Sequence, residues 1–436
     1  MTDTTITAVL ARRVWDSRGR PTVEAEVHLV GGAKGRAIAP AGASRGSREA
    51  LDLRDGGSRL AGMDVSRALA GIRGRIAPLL IGRDATDQPG CDAAMIALDG
   101  TPLKSVLGGN AMVACSLALA HAVAAARGLP LWAHLADTYG KIPSLPLPEI
   151  QIFGGGAHAG RRTDVQDFMV MVPGATSLDE VMEVTSEIYI AAGSLMAAKG
   201  RLMGVADEGG WWPDFDSNEQ ALETLIRAIE LAGEKPGDRV VVSLDIAASE
   251  FGEQGRYTMA LDGRVLDAAQ MIDLLGGWID AYAIASIEDP LAEDDREGMR
   301  AFTARFGDNV QIIGDDYLVT NAGLIGAAAA ERACNAALIK VNQAGTVTET
   351  IAALTAAETA GWGRIVSARS GETEDVSIAH LAVGLGAGQL KVGSITRSER
   401  LAKWNELLRI GEDLRAGEFV RGQPLAATWW GKKRGS

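Results

Sequence analysis

Six apolar, strand-like segments in the second half of the chain each lead straight into a charged side chain. The segments are VVVSLD, ending at Asp245, YAIASIED at Glu288, VQIIGDD at Asp315, AALIK at Lys340, RIVSARS at Arg369 and QLKVGS at Lys391. Successive charged residues are 43, 27, 25, 29 and 22 positions apart, which leaves room for a helix and its loops. Parallel strands that alternate with helices can close into a barrel with reactive groups at the C-terminal strand ends. The pattern therefore predicts a TIM-like α/β barrel that carries an enzyme's active site.

The domain organisation follows from length and from the pattern that precedes these segments. The chain has 436 residues, more than one ordinary domain, so we expect two. The first 30 residues alternate polar and apolar and predict a β-hairpin, and helical periodicity follows from Ser47 to about Ala136. We predict an N-terminal α+β capping domain at 1–140, a (β/α)8-type catalytic barrel at 141–420 and a tail at 421–436. The basic, aromatic tail is predicted to be accessory or disordered.

Composition limits the classes of partner. The net charge of −13 argues against binding to nucleic acid or to an anionic membrane surface. It still allows a small anionic substrate in a local basic pocket. The three cysteines have no paired spacing, the N-terminus lacks a signal-peptide pattern, and the apolar stretch Ala111–Gly128 contains His121 and Arg127. We interpret that stretch as a buried helix and predict a cytoplasmic protein.

The charged strand ends indicate a metal site. Asp245, Glu288 and Asp315 are hard oxygen ligands on successive strands, and such ligands suit Mg²⁺ better than zinc. A lone aspartate at a strand end is usually a helix cap, but three in a row favour a shared ligand set.

The basic residues that follow indicate a base and an anion site. Lys340 directly follows apolar residues, so we expect desolvation to lower its pKa and make it available as a general base. Arg369 with Ser370, and Lys391 beyond them, are suited to hold phosphate or carboxylate oxygens.

Two glycine-rich segments, Pro40–Gly46 and Phe153–Gly160, are predicted to close over this face of the barrel. His158 lies in the second segment, and Glu208 lies in the tight turn ADEGGWWP. A protonated acid opposite a lysine base is what β-elimination requires. The base removes a proton α to a carboxylate while the acid assists the departure of hydroxide.

At this point the chain resembles enolase along nearly its whole length. The resemblance rests on DSRGRPTVE, GASRGSREALDLRDG, GGNAMVACSLALAHAVAAARGLPLW, ADEGGWWP, LDIAASEF, SIEDPLAEDD, IIGDD, LIKVNQAGTVTET, SARSGETED and RSERLAKWNELLRI. It implies an enolase-type barrel with a smaller N-terminal domain, two Mg²⁺ ions and a homodimer or larger symmetric homo-oligomer. The implied reaction is the reversible dehydration of 2-phosphoglycerate to phosphoenolpyruvate.

The resemblance also implies a role for each matching residue. The implied roles are first-metal ligand for Asp245, Glu288 and Asp315, second-metal contact for Ser44, base for Lys340, carboxylate partner for Lys391, phosphate binding for Arg369 and Ser370, and acid for Glu208. Gln166 and Asp167 occupy the Q-E-F motif, and we assign Gln166 to substrate binding and Asp167, with His158, to catalysis.

Several positions depart from the enolase pattern. Ala368 replaces the histidine of S-H-R-S-G-E, Ala41 and Arg45 replace the serine and threonine of S-G-A-S-T-G, Asp167 shortens the acid of Q-E-F, and Gly154 replaces the asparagine of N-G-G. Smaller residues at 368 and 41 with a new cation at 45 indicate a larger, more anionic substrate. We therefore predict a dehydratase specialised for a carboxyphosphono-modified 2-phosphoglycerate. Its product would be the carboxyphosphonoenolpyruvate of phosphinothricin-type phosphonate biosynthesis, with Arg45 pairing the extra carboxylate.

Two alternatives remain. The first is an ordinary glycolytic enolase with an unusual proton relay, which the loss of histidine at Ala368 argues against. The second is an inactive paralogue that serves as a binding or scaffold protein. Against it, Lys340, Lys391, Glu208 and the three predicted metal ligands are all present, and a scaffold has no physical need of them.

Overall fold

A computed structural model of the chain describes residues 3–414 and 419–435. The chain begins with a three-stranded antiparallel sheet, as the alternating pattern predicts. Its strands are β1 (Ile6–Trp15), β2 (Pro21–Leu29) and β3 (Lys34–Ile38). Five helices follow, namely α1 (Ser66–Gly71), α2 (Ala77–Leu80), α3 (Gln88–Asp99), α4 (Gly109–Ala126) and α5 (Leu131–Tyr139).

Helix α4 is the core of this N-terminal region. It is 18 residues long and apolar enough to cross a membrane, but 83% of it is buried inside the protein, as expected for a core helix. It packs across β2 and β3. The packing is so close that a Cβ on Gly35 would lie 2.1 Å from the carbonyl oxygen of Ala118. Glycine at position 35 is therefore required for the approach of helix and sheet.

The predicted start of the helical region was wrong. The first α-helix begins at Ser66 and not near Ser47, and residues 47–58 have irregular backbone. Positive-φ glycines at Gly56 and Gly57 interrupt any helix there. The irregular segment continues the glycine-rich loop that was predicted to cover the barrel.

The remaining strands include a closed eight-stranded barrel, which confirms the predicted fold class. In chain order they are β4 (Leu147–Gly154), β5 (Asp167–Met171), β6 (Val241–Asp245), β7 (Gly252–Glu253), β8 (Arg256–Met259), β9 (Arg264–Asp267), β10 (Ile284–Glu288), β11 (Gln311–Gly314), β12 (Ala336–Ile339), β13 (Gly363–Ser367) and β14 (Gly388–Gly393). Strands β7 to β9 form a separate small sheet, and the other eight close the barrel. The barrel strands are buried on both faces and are correspondingly apolar along most of their length.

One barrel strand does not follow the predicted β/α alternation. Strand β5 runs antiparallel to both β4 and β6, whereas every other neighbouring pair is parallel. The connection from β4 to β5, residues 155–166, contains one short 3-10 turn at Gly156–Ala159 and no crossover helix. A parallel return needs such a crossover, so β5 turns back as a hairpin partner.

Within the described residues, ten α-helices accompany the barrel strands. They are α6 (Leu178–Ala198), α7 (Asn218–Leu231), α8 (Ala268–Ala281), α9 (Arg296–Phe306), α10 (Ala322–Glu331), α11 (Val341–Ala344), α12 (Val347–Thr359), α13 (Ser377–Gly384), α14 (Ser398–Asp413) and α15 (Trp429–Gly435). Several begin at a polar cap. The side chains of Ser177, Ser217 and Thr346 each accept a backbone N–H from the first turn that follows.

The C-terminal segment, predicted as an accessory or disordered tail at 421–436, contains helix α15; Ser436 lies outside the described residues. Trp429 Nε1 donates to the carbonyl of Ile284 at 2.7 Å, and Trp430 Nε1 donates to that of Asp238 at 2.6 Å. Ile284 begins β10 and Asp238 precedes β6, so α15 packs at the amino-terminal end of the barrel. That end is opposite the charged strand ends.

Candidate active site

The structure brings the six charged residues of the strand pattern together at one end of the barrel. Asp245 and Glu288 are the last residues of β6 and β10, Asp315 and Lys340 directly follow β11 and β12, Lys391 lies within β14, and Arg369 follows β13 by two residues. All but Lys340 are at most 6% exposed. So many buried charges are stable only when they compensate one another.

Lys391 connects two of the predicted metal ligands. Its Nζ donates to Asp245 Oδ2 at 2.9 Å and to Glu288 Oε2 at 2.7 Å, and lies 3.4 Å from Asp167 Oδ2. Burial disfavours the ammonium, but the surrounding carboxylates, Asp245 first, outweigh burial and raise the pKa of Lys391. Lys391 is therefore a fixed positive charge at the centre of the site.

Lys340 contacts the third predicted ligand. Its Nζ donates to Asp315 Oδ2, and Gln343 Nε2 donates to Asp315 Oδ1 at 2.9 Å. The expectation of a lowered lysine pKa was wrong for this structure. Burial does disfavour the charged amine, but the Asp315 carboxylate more than offsets burial and raises the pKa of Lys340.

The carboxylate cluster fits a divalent cation. The buried Glu288 Oε1 and Gln166 Oε1 have no hydrogen-bond partner within the described residues. Burial and the neighbouring charge of Asp245 raise the pKa of Glu288 well above its usual range. An excess of buried negative charge with unpaired oxygen atoms is what a hard cation such as Mg²⁺ would relieve. Gln166 Nε2 also donates to Asp245 Oδ2 at 3.0 Å and orients that ligand.

Sequence reasoning missed two acidic residues that support this cluster. Asp289 accepts the backbone N–H groups of Asp315 and Asp316 at 2.9 and 2.7 Å, so it holds the end of β11 in place. Carboxylate oxygens of these three residues lie within 4.8 Å of one another. Burial and the charge of Asp315 raise the pKa of Asp289 to about 8. The sequence does contain a sign of Asp289 and Asp316, because each is the second acidic residue of its motif, SIEDP and GDD respectively.

His158 lies between two carboxylates on the other side of the site. Its Nδ1 is 3.0 Å from Asp167 Oδ1, and its Nε2 is 3.6 Å from Glu208 Oε1. Burial opposes the imidazolium, but Glu208 and Asp167 outweigh burial and raise the pKa of His158 to about 9. Burial likewise opposes the charge of Asp167, yet His158 and Lys391 lower the pKa of Asp167. His158 therefore carries a proton at neutral pH.

Arg369, the predicted anion-binding residue, forms hydrogen bonds with other residues of the protein. Arg369 NH1 donates to Glu49 Oε2 at 2.9 Å and to Asn342 Oδ1 at 3.1 Å, and its NH2 donates to the Ser44 carbonyl at 2.9 Å. The hydroxyl of Ser370 accepts the N–H of Ala43 at 3.3 Å. Sequence reasoning missed Glu49, because nothing in its local sequence reveals a partner 320 residues away.

The glycine-rich loop that includes Ala41 and Gly42 covers the site. Ala41 and Gly371 exchange backbone hydrogen bonds of 2.9 and 2.8 Å, and a Cβ on Gly42 would lie 2.0 Å from Arg369 NH2. The cavity beneath it has a volume of about 20 Å³. That is little more than one water requires, so this arrangement of the loop leaves no room for a larger molecule.

Three positions that the sequence analysis singled out differ in whether they line that cavity. Ala368, where the enolase pattern has histidine, lines it and is 5% exposed. Ser44 also lines it, so the structure brings Ser44 to the site. Arg45 does not, because its side chain is exposed on the outer side of the loop. The predicted contact of Arg45 with a substrate is therefore not formed in this closed arrangement.

Comparison with known families covers both parts of the chain. The family model described as enolase, N-terminal domain, matches residues 6–135. The family model described as enolase, C-terminal TIM barrel domain, matches residues 143–427. Together the two matches include each of the site residues described above.

Proposed function

This chain belongs to the enolase family, and from that premise we propose that it is a Mg²⁺-dependent dehydratase. The reaction would remove water from a 2-phosphoglycerate-type substrate and leave an enolpyruvate. The observation that carries the proposal is a division of charge within one buried site. Lysines and the carboxylates that would hold the metal occupy one side, and a protonated histidine beside Glu208 occupies the other.

Asp245, Glu288 and Asp315 would hold the first cation, and Ser44 would contact a second. When bound, Mg²⁺ would supply positive charge that weakens the hold of Asp315 on Lys340 and favours the negative charge that proton removal places on the substrate carboxylate. Gln343 and Gln166 keep Asp315 and Asp245 oriented while their charge is shared.

Lys340 is the base in this proposal. Its amine removes the proton from the carbon next to the substrate carboxylate, and the electron pair left behind becomes the new carbon–carbon double bond. Lys391 stays protonated, because it is surrounded by carboxylates, and it offers a fixed charge to the substrate carboxylate. The two lysines thus have different roles because they have different neighbours.

The leaving hydroxyl departs on the opposite side. The proton passes from the imidazolium of His158 across the 3.6 Å contact to Glu208, and Glu208 delivers it to the departing hydroxide, which leaves as water. Asp167 holds Nδ1 of His158, so Nε2 faces Glu208. Atoms and charge balance, since one proton is taken by Lys340 and one is delivered to the leaving group.

Arg369 and Ser370 would bind the phosphorus-bearing group. Glu49 occupies the arginine in the closed structure, so an anionic substrate must displace Glu49 or share the guanidinium with it. Opening of the covering loop removes the Ser44 carbonyl from Arg369 at the same time. Substrate entry and release of Arg369 are therefore one event.

We assign the finer specificity to a carboxyphosphono-modified 2-phosphoglycerate, as in phosphonate biosynthesis. The support is the small, apolar character of Ala368, which lines the cavity, and of Ala41, which is buried beside Gly371, together with Arg45 on the covering loop. The exposed position of Arg45 favours a second candidate, namely ordinary dehydration of 2-phosphoglycerate. An extra anionic group would have no partner there unless the loop rearranged.

The Arg45→Thr variant distinguishes the two candidates. If Arg45 pairs the extra carboxylate, the variant loses kcat/KM on the carboxyphosphono substrate by roughly tenfold or more, as expected for a charged pair, and keeps its rate on 2-phosphoglycerate. An equal effect on both substrates removes the argument for an extra anionic group. Arg48→Thr, on the same loop, is the matched control.

A further inference from the structure

The side-chain amide of Gln151 connects Asp167 with the turn that carries Glu208, on the side of the site from which the leaving group is protonated. Gln151 lies on β4 and is fully buried. Its Nε2 donates to Asp167 Oδ1, and its Oε1 accepts the backbone N–H of Gly210 at 2.8 Å. One end of this amide therefore contacts the partner of His158, and the other end contacts the turn that carries Glu208.

The orientation of this amide is fixed by its neighbours. A carboxylate at Asp167 can only accept from an N–H, and the backbone N–H of Gly210 can only donate to an oxygen. Rotation of the amide by half a turn would set oxygen against oxygen and nitrogen against nitrogen. Both of these contacts are buried, so the reversed orientation would leave two polar pairs unsatisfied.

The contact at Gly210 locates the acid. Gly210 is two residues after Glu208, and the turn between them is closed by hydrogen bonds from Gly209 N to the Ala206 carbonyl at 3.0 Å and from Ala206 N to the Gly210 carbonyl at 2.8 Å. Backbone hydrogen bonds also hold the turn, from Trp211 N to the Ile152 carbonyl at 2.8 Å and from Ser394 N to the Glu208 carbonyl at 2.9 Å. Gln151 adds the side-chain contact to Gly210, and its loss would loosen the turn without unfolding the barrel.

The amide fills space that two glycines leave open. A Cβ at Gly154 would lie 3.0 Å from Gln151 Oε1 and 2.7 Å from the Cβ of Ala206, and a Cβ at Gly210 would lie 2.5 Å from Gln151 Oε1. An asparagine at position 154, as in the enolase pattern, would therefore compete with Gln151 for one volume. The glycine at position 154 therefore leaves the room that the side chain of Gln151 occupies.

We propose that Gln151 is a positioning residue that sets the distance between the Asp167–His158 pair and Glu208, with its amide taking the place of one at position 154. The inference rests on the proposed function, because it assigns Gln151 to the protonation of the leaving group and not to proton removal by Lys340. Gln151 and His158 contact the same carboxylate oxygen of Asp167, so the glutamine also helps to orient the shortened acid toward His158.

Two substitutions separate the two contacts. Gln151→Glu keeps an oxygen for Gly210 but sets a carboxylate against Asp167, whereas Gln151→Met removes both contacts with little change of volume. Hydrogen exchange of the 206–211 segment, followed by mass spectrometry, reports the turn without any substrate. We expect roughly tenfold faster exchange in Gln151→Met, because a buried hydrogen bond is lost. Unchanged exchange would overturn the proposal.

The reaction supplies the second readout. With 2-phosphoglycerate and Mg²⁺ in D₂O, loss of the C2 proton to solvent reports Lys340, and enol absorbance reports dehydration. Both Gln151 variants should dehydrate roughly 10²-fold more slowly while C2 exchange changes less than about threefold. A parallel fall of both rates contradicts the assignment. A wild-type protein that performs neither step on 2-phosphoglycerate or on its carboxyphosphono derivative contradicts the proposed function, and the hydrogen exchange of segment 206–211 still decides the role of Gln151.

A combined substitution tests the shared volume. Gly154→Asn alone should slow dehydration roughly tenfold or more, because the new side chain displaces the amide of Gln151. Adding Gln151→Ala removes the clash with the amide, and Ala206→Gly in the same background removes the clash with the Cβ at position 206, so these two changes together should restore at least part of the rate. Additive losses in the combined variant would contradict the exchange of one amide for the other.

Discussion

At the scale of single residues, this site is a set of buried charges whose neighbours decide their roles. Lys340 and Lys391 have the same chemistry and similar burial, yet one contacts a single ligand carboxylate and the other bridges two. His158 is charged because two carboxylates flank it. Each assignment can therefore be tested by removing one group and observing its partner.

Lys340→Ala should abolish dehydration and spare the metal site. Loss of a general base slows a reaction by roughly 10²–10⁴-fold. Mg²⁺ should bind at least as tightly as before, because Asp315 no longer has a competing cation. Enol absorbance and calorimetric Mg²⁺ titration check the two parts. Surviving dehydration would show that the base is another group; Lys235→Ala, at the far end of the barrel, is the control.

The raised pKa of His158 predicts how the stability of the fold changes with pH. A base whose folded pKa of about 9 exceeds its unfolded value of 6.5 stabilises the fold fully below pH 6.5 and loses this contribution as pH rises through 9. The difference in unfolding free energy between wild type and His158→Gln should therefore shrink by roughly 3 kcal/mol from pH 6 to pH 10. Urea denaturation measures it. A difference independent of pH would show that His158 is not charged in the fold.

The residues that sequence could predict are those that end a strand or belong to a motif. Asp245, Glu288 and Lys340 follow apolar runs, so both their place and their approach to one another follow from the barrel pattern. Glu49 and Gln151 could not be found in this way. Their partners, Arg369 and Gly210, are distant in sequence, and neither residue type is unusual in its local context.

At the scale of secondary-structure elements, the loop around Ala41–Glu49 is the part of the site that must move. It is tied to the barrel by the Ala41–Gly371 backbone pair, by the Ser44 carbonyl on Arg369 and by the Glu49 carboxylate. The backbone pair lies at the first residue of the loop and the Glu49 contact at its last, while the Ser44 carbonyl lies between them. Glu49 and Ser44 both contact Arg369, so their two contacts restrain the loop through one side chain.

Glu49→Gln should open this loop. The substitution removes a buried charge pair from Arg369, and a loss of about 1.4 kcal/mol corresponds to roughly tenfold more of the open form. Arg45 and Arg48 are exposed on the loop and offer trypsin cleavage sites. Limited proteolysis should therefore cut there faster in the variant than in wild type or in the surface control Glu253→Gln. Equal cleavage would mean that Glu49 does not restrain the loop.

Strands and helices with a clear alternation or repeat of apolar residues could be predicted from the sequence. The exceptions arose where the length of a connection decided the direction of a strand. The N-terminal hairpin and the strands β10 to β14 follow from alternation and from apolar runs. The reversal of β5 could not be seen in its residues, since its side chains are as buried as those of a parallel strand. The short connection after β4 decides the direction of β5 and, with it, the approach of Asp167 to His158.

At the scale of the whole molecule, the candidate active site and the C-terminal helix lie at opposite ends of the barrel. The charged strand ends and the covering loop occupy one end, while helix α15 closes against the other. The overall charge of −13 does not describe the site, where lysine and arginine side chains are buried among the acids. A cation bound at this cluster should therefore stabilise the entire fold.

Mg²⁺ should raise the stability of the folded protein in a saturable manner. A ligand at 100 times its Kd adds about 2.7 kcal/mol when it binds only the folded state. Glu288→Gln removes one predicted ligand and should lose most of this increase, whereas Glu253→Gln, on the small β7–β9 sheet, should keep it. Thermal denaturation at increasing Mg²⁺ concentration measures the effect. An equal increase in both variants would place the cation elsewhere.

The most direct test of the central claim is enol absorbance in the presence of Mg²⁺ with two substrates side by side, 2-phosphoglycerate and its carboxyphosphono derivative. An authentic enolase at matched concentration serves as the reference. The account predicts Mg²⁺-dependent dehydration, with kcat/KM for the carboxyphosphono substrate above that for 2-phosphoglycerate. Turnover of 2-phosphoglycerate comparable to the reference would contradict the specialised assignment. No turnover of either substrate, with Mg²⁺ bound, would contradict the dehydratase itself.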